Sequence, residues 1–216
     1  RVVDTATGWV TTAKTGLNDP RGIAVLPDAS SVYVAEFATD QISVFGVQAV
    51  AAVTAAPGAP PAPTALPAAS WTAGSSGSAG SLVDGTRGVA RFTTPADVAI
   101  DPVTQDAVVA CKGHTVNRIS AAGRASSFAG SGVPSVATGL TVAAGFQTPS
   151  GVSVASDGVA YVAEETGHAV RAITPGGTVS VLAGSGTGGY GEGTFTGADF
   201  NAPSNVEIAG SNVVYA

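Results

Sequence analysis

The 216-residue sequence predicts an all-β fold assembled from repeated four-stranded antiparallel units. Three observations predict it: a composition built for turns, a fourfold recurrence of proline-led segments, and two-residue alternation inside each segment. With 29 Gly, 13 Pro and only 11% charged residues, the chain is rich in turn formers and short of the residues that solvate helix surfaces. Its length suits one domain over residues 1–216, because propellers, barrels and sandwiches routinely exceed the usual length per domain.

The recurrence starts at four prolines, which open the runs Pro20-Arg-Gly-Ile-Ala-Val, Pro95-Ala-Asp-Val-Ala-Ile, Pro149-Ser-Gly-Val-Ser-Val and Pro203-Ser-Asn-Val-Glu-Ile. After a polar turn each is followed by a second alternating run, at Ser31–Glu36, Asp106–Cys111, Val159–Glu164 and Asn212–Ala216. Two alternating runs separated by a turn read as a β-hairpin. Third runs follow at Gln41–Phe45, Thr115–Ser120 and Ala169–Thr174, and fourth runs at Ser70–Gly74, Ala125–Gly130 and Val179–Gly184. Four short strands per repeat make a propeller blade, so the fold class is a β-propeller of four-stranded antiparallel blades.

The blades are expected at 17–74, 92–130 and 146–184, with a fourth made from 200–216 paired with 1–14. Residues 1–14 look like the last two strands of a blade and 203–216 like the first two, and pairing them would hide two open sheet edges. That count gives four blades; a piece of a ring of five to seven blades is the other expectation. The prolines lie 75, 54 and 54 residues apart, and the surplus in the first interval is the Pro/Ala-rich stretch 46–69. Proline cannot supply ladder hydrogen bonds, so this stretch is expected to project as a loop, serving as surface excursion, docking arm or modification site.

Charge and cysteine usage exclude several classes. A formal net charge of −6 argues against nucleic-acid partners, which need clustered Lys and Arg. The longest apolar candidate, Val47–Ala56, is interrupted by Gln48 and Thr54 and falls short of the roughly 18 residues of a membrane span, so no membrane insertion is expected. Cys111 is the only cysteine, which leaves no intramolecular disulfide, zinc knuckle or CxxC pair. Its strand-end position predicts at least partial thiol labelling. The chain opens at Arg1 and contains no Met, as expected of a processed or partial piece of a longer protein.

The run Tyr161-Val-Ala-Glu-Glu-Thr-Gly-His-Ala-Val-Arg-Ala-Ile, followed by Val181-Leu-Ala-Gly-Ser-Gly and Phe200-Asn-Ala-Pro-Ser-Asn-Val, resembles the NHL repeat. The match recurs in Ala110-Cys-Lys-Gly-His-Thr-Val-Asn-Arg-Ile with Phe128-Ala-Gly-Ser-Gly, and around Tyr33-Val-Ala-Glu-Phe-Ala-Thr-Asp-Gln-Ile. The resemblance covers essentially everything but the Pro/Ala insertion and implies a propeller used for interaction or scaffolding. This chain departs from the family pattern: Gly replaces Asn before His114 and His168, Asp40 replaces the histidine of the first repeat, and Cys111 stands at the acidic position.

Among candidate site residues, His114 and His168 share one repeat position, which marks them as structural rather than as zinc ligands. Glu36, Glu164 and Glu165 close second strands and are expected to line an acidic rim for a cation or a basic partner. Calcium is conceivable there, although no EF-hand loop is present, and no other cofactor is implied. The connectors Ser75–Arg91 and Gly184–Asp199 carry Asp84, Arg87 and Glu192 as further rim candidates; without a following helix or a Gly-Lys-Ser/Thr ending they are not phosphate loops. Gly130-Ser131-Gly132 and Gly184-Ser185-Gly186 recur at strand ends, unlike a nucleophile elbow. Phe92, Phe146 and Phe200, each three residues before a proline, are expected between blades, and Trp71 and Phe128 match in the fourth strands.

These features favour a non-enzymatic interaction or scaffold module of a secreted or surface protein, with a protein partner or copies of itself bound at the rim. One alternative is a divalent-metal-dependent propeller enzyme of lactonase or amidating-lyase type recruiting Glu36, Glu164 or Glu192. Another is a structural subunit of an extracellular polymer.

Overall fold

A computed structural model describes residues 2–3, 10–11, 15–28, 30–46, 71–74, 84–86, 89–209 and 213–216. Alternating side chains and repeated turns produce three complete antiparallel sheets. The first holds β3 (Pro20–Val25), β4 (Ser31–Glu36), β5 (Gln41–Gly46) and β6 (Trp71–Ala73) in sequence order. The second holds β7 (Pro95–Ile100), β8 (Ala107–Cys111), β9 (Thr115–Ile119) and β10 (Ala125–Ala129). The third runs through β12 (Pro149–Val154), β13 (Ala160–Glu164), β14 (Ala169–Ile173) and β15 (Thr178–Ala183). A fifth strand, β11 (Gly139–Leu140), covers the outer edge of β15, where an unpaired ladder would invite association.

Local chemistry explains the hairpins. In each turn between first and second strands an aspartate accepts the N–H two residues on, from Ser30 to Asp28, Val103 to Asp101 and Val159 to Asp157. Each first strand has a register shift just after its proline, between Pro20 and Ile23, Pro95 and Asp97, and Pro149 and Gly151. A residue without an N–H cannot continue the ladder, and a bulge absorbs the interruption.

Two further hairpins, β1 (Val2–Val3) with β2 (Val10–Thr11) and β16 (Glu207–Ala209) with β17 (Val213–Tyr215), form separate two-stranded sheets, and among the described residues the sheets are not closed into a ring. Most of 1–14 lies outside the described residues, and with it the expected completion of the fourth blade. So does 47–70, which holds nearly all of the Pro/Ala insertion. Among the described residues no helix is long and apolar enough to cross a membrane.

Much of the core lies between sheets, and Val32, Val34 and Phe45 form a further cluster on one face of the first sheet. Tyr33, Ile42 and Val44 of the first sheet pack with Phe92, Val98 and Val109 of the second. Val108, Val116 and Phe128 of the second pack with Phe146, Val152 and Val162 of the third, and Ala163 and Val170 pack with Val206 and Phe200. Phe92 and Phe146 are completely buried, each contributing about 2 to 3 kcal/mol of transfer free energy.

Cys111 corrects the expectation of partial labelling. It does end a second strand, but it is fully buried in the first seam, and burial pushes its thiol up to about 12. A strand end beside the next blade is interior, so full protection is the expected behaviour here.

Candidate functional site

The first strands stand innermost, β3 against β7, β7 against β12 and β12 against β16, so the residues following each proline face the axis. The residue after the proline is Arg21, Ala96, Ser150 or Ser204; the next is Gly22, Asp97, Gly151 or Asn205. Together with Lys112 and Glu165, from the turns after the second strands, six of these eight line a cavity of about 420 Å³. A second cavity of about 350 Å³ shares Arg21, Asp97 and Asn205 and continues between Val98, Val152 and Glu207. Glycine alternates with Asp or Asn because the strands approach closely: a Cβ on Gly22 would collide with Asp97, and one on Gly151 would meet Asn205.

Asp97 is the central group. Its Oδ1 accepts the N–H of Val98 and its Oδ2 that of Val152 on the next blade, both at 2.9 Å. Burial pushes its carboxyl up to about 6; the two N–H groups pull the other way and the charge of Glu207 adds to the rise. Arg21 lies 3.9 Å over the Phe37 ring and donates to Asp19 through Nε and Nη2 at 3.2 and 2.9 Å. Lys112 of the second blade forms an ion pair with Glu165 of the third. The Ser150 hydroxyl sits 3.1 Å from the carbonyl of Pro203 and 3.2 Å from that of Ala163. The mouth therefore carries charge of both signs, with hydroxyl and amide groups between.

The acidic rim expected from sequence does not form. Only Glu165 reaches the mouth. Glu36 is buried, accepting from the Ser43 hydroxyl and from the Asn18 N–H at 2.9 Å. Glu164 is 1% exposed; it accepts the Gln147 N–H at 2.6 Å and meets Nη1 of the fully buried Arg171 at 3.2 Å. Burial pushes the Glu164 carboxyl up, against the pull of Arg171 and Gln147. Both carboxylates tie the chain ahead of the first strand to the second strand of the same blade. Cys111 takes their place in the second blade, facing Thr93 and Thr115.

Asp84 also lies away from the mouth, where it accepts from the N–H and hydroxyl of Ser127 at 2.8 and 3.1 Å and fastens a connector to β10. Glu192 is exposed on its connector, and Arg87 lies outside the described residues. Of the carboxylates named for the enzyme alternative, Glu36 and Glu164 are thus engaged inside their own blades and Glu192 is exposed. Among the described residues no three His, Cys, Asp or Glu side chains are grouped to hold an ion.

The histidines have a definite place. Asp40, His114 and His168 occupy the same turn with left-handed φ values of 56°, 68° and 49°. Each reaches the N–H just before the next blade's proline: Asp40 Oδ1 to Thr94 at 2.7 Å, His114 Nδ1 to Thr148 at 3.4 Å and His168 Nδ1 to Ala202 at 3.1 Å.

Sequence reasoning missed Arg21, Asp97, Lys112, Ser150, Ser204 and Asn205. The signal was available: the two positions after each proline begin the strand that a propeller turns toward its axis.

Repeated four-stranded antiparallel sheets with their first strands innermost define a β-propeller. Solved structures agree. The chain is similar to a Bacteroides thetaiotaomicron protein of unknown function, with TM-score 0.66 and 19% identity over 90% of this chain and 43% of that one. It is also similar to an auxiliary nutrient binding protein from Bacteroides ovatus, with TM-score 0.61 and 18% identity over 88% and 43%. Kuenenia stuttgartiensis hydrazine synthase follows at TM-score 0.54 and 17% identity over 94% and 43%. At these identities the likeness carries the fold, and this chain spans less than half the length of each. No protein-family model and no curated protein matches the chain.

Proposed function

We infer that the chain is a non-enzymatic interaction module of NHL-type blades, forming part of a larger protein and engaging a protein partner through the axial mouth. The observation that carries this reading is the convergence there of equivalent positions from all four repeats, with Arg21, Lys112, Asp97 and Glu165 in one cavity. A partner that presents a polar, charged group can exchange into the Arg21–Asp19 and Lys112–Glu165 pairs, which are partly exposed and therefore inexpensive to open. Complementary charge at such a mouth would set specificity and encounter rate.

A photoreactive side chain in place of Ser204, in the protein kept with its native neighbours, tests the reading. The expected result is a discrete protein adduct that disappears when Arg21→Glu and Lys112→Glu are combined. An adduct at twice the chain mass identifies a second copy as the partner. No adduct, or one indifferent to the charge reversal, overturns the reading.

A further inference from the structure

We propose that His114 and His168 are acid-labile latches between successive blades, whose protonation frees the segments that carry Ser150 and Ser204 to the axial mouth. The regulation of binding that follows rests on the mouth being the binding site; the latch itself does not.

The argument begins with the repeat. Three blades place an acceptor side chain at one left-handed turn position, and each acceptor takes the N–H two residues ahead of a mouth position: Thr94 before Ala96, Thr148 before Ser150 and Ala202 before Ser204. In two of them the acceptor is imidazole Nδ1, which has a lone pair only when the ring is neutral with its hydrogen on Nε2. A second proton must enter at Nδ1, so that an N–H then points at an N–H and the contact becomes repulsive. Imidazole is the side chain that ordinarily gains charge between about pH 8 and about pH 5. In the first blade Asp40 makes the same contact through a carboxyl oxygen, which remains an acceptor whether or not the other oxygen holds a proton. The molecule thus carries its own control.

The charged groups near the two latches are largely engaged elsewhere. Lys112, on the turn of His114, pairs with Glu165 on the next blade. The connector 131–148 that His114 grips holds no Asp, Glu, Lys or Arg. On the turn of His168, Glu164 is taken by Arg171 and Glu165 by Lys112. On its connector Asp199 is held by the Ser185 hydroxyl, and Glu192 points to solvent.

Amide hydrogen exchange on the whole chain, expressed as protection factors at about pH 7.5 and about pH 5.5, reads the latches directly. The Thr148 and Ala202 amides are expected to lose about tenfold in protection at the lower pH while Thr94 keeps its own. The double variant H114D/H168D, which copies Asp40, should abolish the difference. Should that variant fail to fold, the three wild-type amides still decide. Equal loss at all three, no loss at any, or a response that survives in the variant overturns the proposal. Photocrosslinking at Ser204 separates the two readings: if exchange behaves as stated, an adduct unchanged by pH leaves the latch standing but overturns its control of binding, and no adduct at either pH overturns the mouth reading alone.

Discussion

Asp97 shows how one residue can be structural and poised at once. Its two oxygens join the second blade to the third through Val152 while it lines both axial cavities. Because burial raises its folded-state value from 3.8 to about 6, the fold prefers the protonated carboxyl. The stabilisation is complete below the unfolded value, where both states hold the proton, and is lost as pH climbs through about 6. Asp97→Asn should remove that slope. Urea unfolding of wild type between pH 4 and pH 6 is expected to lose at most about 3 kcal/mol more than the variant loses. The amide accepts only one of the two N–H groups, which shifts the variant's curve by a constant; parallel curves would refute the assignment.

At the level of the element, the first and third blades tie the end of the second strand to the third strand, each with its own chemistry. Glu36 meets Ser43, Glu164 meets Arg171, and in the second blade Cys111 and Asn117 stand at those positions, with the Asn117 amide nitrogen buried and unpartnered. Arg171→Ala should cost about 3 to 5 kcal/mol, because it strands a buried carboxylate. Asn117→Arg alone should cost about 3 kcal/mol for the mirror-image reason, and adding Cys111→Glu should recover most of it in equilibrium unfolding. The strands themselves were legible in the sequence, since period-two alternation between turn formers admits few other readings. These ties were not. An acid closing a strand is ordinarily solvated, and arginine is so rarely buried completely that nothing in Ala169-Val-Arg-Ala-Ile suggested Arg171 as a partner. The mouth was hidden for a related reason: loops ordinarily carry function, whereas a propeller turns the first residues of its innermost strands toward the axis.

For the whole molecule, stability is a chain of seams, because each blade packs only on its neighbours and their contributions add like those of a solenoid. The fourth residue of each proline-led run makes the comparison direct: Val98, Val152 and Val206 are 3%, 4% and 1% exposed, each packed against the preceding blade. Ile23 occupies the same position and is 64% exposed, although Val34, its partner across the ladder, is 4% exposed and clusters with Val32 and Phe45. Val152→Ala should therefore cost about 2 kcal/mol through lost burial and the cavity left behind. Ile23→Ala should cost less than about 0.5 kcal/mol, as exposed substitutions do. Measured at several protein concentrations, the pair also reports on closure in solution. If the chain's own ends or a second copy cover Ile23 in solution, Ile23→Ala will cost as much as Val152→Ala, and in the second case the cost will grow with concentration. A small, concentration-independent effect at Ile23 beside a large one at Val152 is the result that the exposure of Ile23 requires.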